Sequence, residues 1–170
     1  MFFYSVEKID ASSLSKNEAR EQQSKCGYEL LKALLSTHFG IEEYKIIKNE
    51  YGKPFLENEG VFFSIAHSLD YVCCVVADAP VGIDIEATLP MSSEKAEALA
   101  KRFFAEGEIE YLRKRAFSFI DFYFLWTRKE ALSKCKGTNL MPNLSIDILQ
   151  SDAIRTEITD KYVLSIAINI

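Results

Sequence analysis

Two apolar runs dominate the middle of the chain, Tyr71–Ala77 and Val81–Glu86, and only Asp78-Ala79-Pro80 separates them. Both are rich in β-branched residues and are predicted as strands, and so short a connector predicts an antiparallel hairpin. Within the second run Ile83 and Ile85 point one way, toward the core, while Asp84 and Glu86 point the other. Further strands are predicted at Val61–Ile65 and, briefly, at Tyr44–Ile47. Between them Glu50-Tyr51-Gly52-Lys53-Pro54 must turn or loop, because Gly52 breaks regular structure and Pro54 biases Lys53 toward an extended conformation.

Helical spacing brackets these strands. Residues 15–38 place Leu30, Leu31, Leu34 and Leu35 on one stripe, with Gly40 as the stop and His38 set against the C-terminal dipole. Ser92 or Ser93 can cap a helix running to about Phe104, and a second helix is predicted over Glu108–Arg115. The strongest signal runs from Asp121 to Lys134, where Phe122, Leu125, Trp126 and Lys129 recur at helical spacing before Gly137. Two alternating runs follow, Leu144–Leu149 and Tyr162–Ile170. In the latter, Leu164, Ile166, Ile168 and Ile170 share the buried face of a strand. Helix, strands, helices, strands: the order predicts an α+β fold, not a doubly wound sheet.

With 170 residues the chain makes one ordinary domain or two small ones sharing a core, and it needs no staple to fold. It has no apolar run of about 18 residues, so no membrane span is expected. Glu7 arrives too early for a secretory signal, and a cytoplasmic protein is expected. The four cysteines show no C-x-x-C spacing and are expected to be reduced. The net charge of −5 and pI near 5.2 argue against a nucleic-acid module. Residues 101–136 nevertheless carry nine basic residues against five acidic. That stretch is either a solvated helix face or a field that attracts a phosphate-bearing ligand or an acidic partner.

Three segments carry chemistry. Asp84 and Glu86 put two carboxylates on one strand face, where they repel unless a cation or basic group lies between them. Hard oxygen ligands with no neighbouring His or Cys suit Mg²⁺, although an exposed strand edge explains the same string. Glu130 and Lys134 form an i, i+4 salt-bridge pair, or else Glu130 turns to the Asp84/Glu86 site as a third carboxylate with Lys134 near a phosphate. Trp126, one turn earlier, reads as core packing. His67 ends a strand in Ile65-Ala66-His67-Ser68. It is structural, or its imidazolium and the Ser68 hydroxyl serve a phosphate.

In order and spacing, G-K-P at 52–54, A-H-S at 66–68, G-I-D-I-E at 82–86, R-F-F at 102–104 and W-T-R-K-E-A-x-x-K at 126–134 resemble the 4′-phosphopantetheinyl transferases of Sfp type. The resemblance implies transfer of the phosphopantetheine arm of coenzyme A to a serine of an apo carrier protein, acyl or peptidyl, releasing adenosine 3′,5′-bisphosphate. It implies Asp84, Glu86 and Glu130 as Mg²⁺ ligands, and Lys134 at the pyrophosphate. His67, with Ser68, would meet the 3′-phosphate, Gly52 and Lys53 would lie against the adenine, and Glu108 would be the general base. It further implies two similar α+β halves in one chain, 1–83 and 84–170. They would form a pseudo-dimer of antiparallel sheet and packed helices with the site at the junction, so that a monomer suffices.

The sequence departs from that pattern at Ala66, where many members have Ser, and in the N-terminal half, where Lys25 or Arg20 is left to supply a further phosphate contact. A non-catalytic module binding coenzyme A or a carrier protein is the alternative, and a Mg²⁺-dependent phosphodiester hydrolase is the third reading.

Overall fold

A computed structural model of the protein describes residues 1–57 and 60–169. Ile170, expected at the end of the last strand, lies outside the described residues. In chain order the elements are β1 (Phe2–Lys8), α1 (Lys16–Phe39), β2 (Ile46–Lys48), β3 (Pro54–Leu56), β4 (Phe62–Ser68), β5 (Tyr71–Ala77) and β6 (Val81–Ala87). They continue with α2 (Ser93–Phe103), α3 (Glu106–Arg113), α4 (Phe119–Lys136), α5 (Met141–Leu144), β7 (Ile154–Ile158) and β8 (Tyr162–Ile168). The fold is α+β, as the element order predicts. No helix among the described residues is long and apolar enough to cross a membrane.

The hairpin predicted across residues 78–80 does not form. Strand β5 is the centre of a sheet ordered β1-β5-β4, and β6 belongs to a second sheet ordered β6-β8-β7. The reason lies in β5 itself, where residues 72–77 are buried on both faces. Its two edges are occupied by β1 and β4, leaving no free ladder for β6. The hairpin instead joins β4 to β5 through Leu69 and Asp70, with Leu69 in the left-handed region at φ 51°. Residues 78–80 therefore carry the chain from one sheet to the other, ahead of the boundary expected at 83/84.

The two sheets repeat one connectivity. In each, the first strand and the penultimate strand flank the last strand in chain order, all antiparallel. Cys73, Val75 and Ala77 of β5 meet Val81, Ile83 and Ile85 of β6 and Leu164 and Ile166 of β8 in a core between the sheets. The predicted division of β6 into an apolar inner face and an acidic outer face holds. On the outer side of the first sheet α1 buries Leu31, Leu34 and Leu35 against Phe63, Cys74 and Val76. Its N-terminus is closed by a capping box between Ser15 and Glu18 and its C-terminus by Gly40. Gly27 permits the close approach, since a Cβ there would meet Ile65 Cγ2 at 2.7 Å. On the second sheet α4 buries Ala131, Leu132 and Cys135 against Ile154 and Ala167. Trp126 packs as expected, stacked on Phe122 at 5.9 Å in a cluster shared with α2 and α3.

Of residues 144–149, predicted as a strand, Leu144 ends the single turn of α5 and the rest follow as irregular chain. Their backbone groups find side chains rather than a neighbouring strand. Lys129 Nζ donates to Ile146 O at 2.7 Å, Arg128 Nη2 to Ile148 O at 2.9 Å, and Ile148 N–H to Glu108 Oε1 at 3.1 Å. The true partner of β8 on that side is β7, which the sequence reading missed together with β1 and β3.

Candidate active site

The acidic face of β6 lies directly beneath α4, and Gly82 makes that possible. A Cβ at position 82 would collide with Ala131 O and Cys135 N of the helix. With helix and strand in contact, Lys134 Nζ reaches Asp84 Oδ1 at 2.6 Å across the seam. Lys134 thus pairs with Asp84 rather than with Glu130, its i−4 neighbour. Burial alone would lower the Lys134 ammonium, but Asp84 and Glu130 outweigh it and hold it above the ordinary lysine range.

The three carboxylates of the expected metal set influence one another. Asp84 is only 6% exposed, burial raises it, and Lys134 draws it part of the way back. Its Oδ2 is buried with no hydrogen-bond partner. Glu86 is raised by burial and by the charge of Asp84 against the bond from Ser68, and Glu130 is pushed up to about 7 by burial, Asp84 and Glu86. As they stand, no three His, Cys, Asp or Glu side chains among the described residues gather into a set that could hold a metal ion. The donor chemistry itself, three mutually repelling carboxylates with one orphaned buried oxygen, suits a hard divalent cation.

Lys134 also faces a cavity of about 430 Å³ between the halves. Its wall is made by Gln23, Ser24 and Tyr28 of α1, the 51–54 segment, His67 of β4, and the end of α4 through Thr138. The α1 residues were not anticipated; they recur at helical spacing, which only the packing of α1 on β4 and β5 turns into a wall. His67 lies at this cavity, lowered by partial desolvation and by the charges of Lys134 and Arg20. Arg20 is thus the N-terminal base close enough to act on His67. Lys25 pairs with Glu29 at 3.9 Å on the exposed side of α1.

The Lys53 side chain is engaged at the junction of the two sheets' elements. Its ammonium donates to Val81 O at 3.1 Å and to Lys134 O, capping the end of α4 and the start of β6. Asn49 joins the same clamp, donating to Gly137 O at 2.8 Å and accepting from Tyr51 N–H and Lys53 N–H. Gly52 and Lys53 both line the cavity, and the Lys53 side chain fastens the first half to the second.

Two expected site residues are engaged elsewhere. Glu108 is fully buried, 2.6 Å from Lys129 Nζ, and accepts from Ala105 N–H and Ile148 N–H. Both oxygens are committed inside the α3–α4 packing, and Glu108 is not among the residues that line the cavity. Ser68 donates to Glu86 Oε2 at 2.8 Å rather than standing free for a phosphate. The basic stretch 101–136 contains both buried residues and exposed, ion-paired ones. Arg128 and Lys129 are buried, and Lys101, Arg113, Lys114 and Arg115 pair with Glu97, Glu110 and Asp121.

Residues 80–167 match the family model of the 4′-phosphopantetheinyl transferase superfamily. The chain is 30% identical over 170 residues to the 4′-phosphopantetheinyl transferase Sfp of Bacillus subtilis strain 168, covering 95% of this chain and 74% of that protein. It is 35% identical over 140 residues to the transferase gsp of Aneurinibacillus migulanus, covering 80% of this chain and 57% of that one. With psf-1 of Bacillus pumilus it shares 32% identity over 148 residues, 84% of this chain and 62% of the relative. The matched span of the family model holds β6 and α4, the elements that carry Asp84, Glu86, Glu130 and Lys134. The chain belongs to the 4′-phosphopantetheinyl transferase superfamily and is a transferase of the Sfp type.

Proposed function

We propose that the chain transfers the 4′-phosphopantetheine moiety of coenzyme A to a serine hydroxyl of an apo carrier protein, releasing adenosine 3′,5′-bisphosphate, in a Mg²⁺-dependent reaction. The observation that carries this reading is Lys134. It lines the cavity between the halves and at the same time holds Asp84 of the carboxylate cluster. A nucleotide bound in the cavity would have its pyrophosphate within the influence of both.

His67 and Arg20 would receive the 3′-phosphate. His67 is lowered in the free protein, so an arriving dianion would raise it and favour binding toward lower pH. Gly52 and the Lys53 backbone would lie against the adenine, with Tyr28 and Tyr51 completing the wall. Asp84, Glu86 and Glu130 would hold Mg²⁺, whose charge at the pyrophosphate favours departure of the bisphosphate. Lys134 neutralises charge developing on the phosphoryl oxygens. The serine proton must leave to a carboxylate within hydrogen-bond reach. Glu86 and Glu130, both raised by burial and by neighbouring carboxylates before any cation binds, are the candidates beside Lys134.

Incubation with coenzyme A, Mg²⁺ and apo carrier proteins, followed by mass spectrometry of the carrier, tests the proposal. The expected result is a carrier heavier by one phosphopantetheine. Binding of coenzyme A without any mass gain on several carriers would leave the chain a binding module. Release of phosphodiester cleavage products without a carrier would make it a hydrolase.

A further inference from the structure

The Ser68 hydroxyl lies where the first half touches a carboxylate of the expected metal set. Ser68 closes β4 and Glu86 nearly closes β6, strands of different sheets that share no ladder. Ser68 Oγ–H donates to Glu86 Oε2 at 2.8 Å, while Ala87 N–H donates to Ser68 Oγ at 3.1 Å. These two bonds fix the hydroxyl. Its single hydrogen points at Glu86, and Ala87 occupies an acceptor position on the oxygen. A phosphate oxygen is an acceptor only, so this hydroxyl has nothing to offer it while the bond to Glu86 stands. The backbone N–H of Ala87 also belongs to the same strand as Glu86, so the contact sets where that carboxylate lies relative to β6.

We infer that Ser68 is a positioning residue, which orients the Glu86 carboxylate for the divalent cation, and not a ligand of the 3′-phosphate. The inference rests on the proposed Mg²⁺ role of Asp84, Glu86 and Glu130. Groups of this kind hold a ligand's oxygen in one orientation, and their removal weakens metal binding by about 10–100-fold. The first half would thereby contribute to the metal site without supplying a ligand to it.

Mn²⁺ replaces Mg²⁺ as the probe, with binding to the whole chain followed by electron paramagnetic resonance of the free ion and by calorimetry. Ser68→Ala is expected to weaken Mn²⁺ by about 10–100-fold, and Ser68→Thr, which keeps the hydroxyl, is expected to restore it. The preference for coenzyme A over dephospho-coenzyme A, measured as the ratio of dissociation constants, is expected to stay unchanged in both variants, and that binding also reports that each is folded. Wild-type Mn²⁺ affinity in Ser68→Ala, with the preference for the 3′-phosphate lost, would overturn the inference and make Ser68 a phosphate ligand. Absence of Mn²⁺ binding by the wild-type chain would overturn the metal reading itself, and this inference with it.

Discussion

The two sheets meet along two seams built from equivalent strands, β4 beside β6 and β1 beside β7. Measured from the tyrosines that open the two central strands, Tyr71 and Tyr162, Glu7 of β1 occupies the place of Glu86, and Ser5 that of Asp84. Thr159, just beyond β7, corresponds to Ser68, since each faces one of those tyrosines. Glu7, Tyr71, Thr159 and Tyr162 even line a cavity of about 360 Å³. The first seam nevertheless carries a buried carboxylate cluster with its lysine, while the second is closed by ordinary side-chain contacts. There Tyr4 donates to Glu157 at 3.0 Å, and the Arg155 guanidinium lies over Phe2. The backbones of β4 and β6 run close together, whereas β1 and β7 meet through long side chains. The acid at 84, the glycine at 82 and the lysine on α4 decided which became a site.

The sharpest way to break that comparison is to exchange its key position. Asp84→Ala is expected to lower carrier modification by roughly 10³-fold, the effect of losing several kcal/mol of charge stabilisation. Ser5→Ala, at the equivalent place in the other seam, is expected to leave the rate unchanged. Both are read by carrier mass gain against time, with circular dichroism confirming the fold. Equal rates in the two variants would mean that the seams do not differ in the way described.

The helical layers also differ, because α1 alone covers the first sheet, while α4 on the second is itself packed by α2 and α3. The Glu108–Lys129 pair exists only in the second layer, so Glu108→Ala is expected to cost about 3–5 kcal/mol by leaving an ammonium buried alone. At this chain length that is a drop in Tm of roughly 10 °C or more. Replacing both, as Glu108→Leu with Lys129→Met, is expected to recover most of the stability and to keep transfer. A folded double variant without transfer would return Glu108 to the chemistry.

A smaller effect separates the seams by pH. Glu130 is raised to about 7 in the folded protein, so below that pH the folded state holds a proton that the unfolded state has released. Stability of the metal-free chain is therefore expected to fall as pH rises from the ordinary glutamate range through about 7. Thermal unfolding between about pH 5 and about pH 8 measures this, and Mg²⁺ is expected to raise Tm most at the upper end. Glu130→Gln should flatten the slope.

Much of the site was legible because it is local. Alternation along 81–86 separates Asp84 and Glu86 from Ile83 and Ile85, and the helical period puts Glu130 and Lys134 one turn apart. The cap at Ser92, the stops at Gly40 and Gly137 and the packing of Trp126 are likewise short-range consequences of residue type. Pairing was not legible in the same way. The three-residue link at 78–80 looks like a hairpin until β1, distant in sequence, claims one edge of β5. The run 144–149 alternates like a strand, yet its backbone is drawn to Glu108, Arg128 and Lys129 instead.

By itself, then, the sequence determined the α+β order of elements, the acidic face of β6, the helix carrying Glu130 and Lys134, and through their spacing the family. Only the tertiary structure decided that Lys134 closes on Asp84, that Lys53 clamps the end of α4, that Ser68 holds Glu86 and that Glu108 is sealed in the helical core. The physical reason is one of range. Periodicity states which way a side chain points from its own element. What it meets there depends on a second element whose place is set by buried apolar faces and unsatisfied backbone groups far away in the chain.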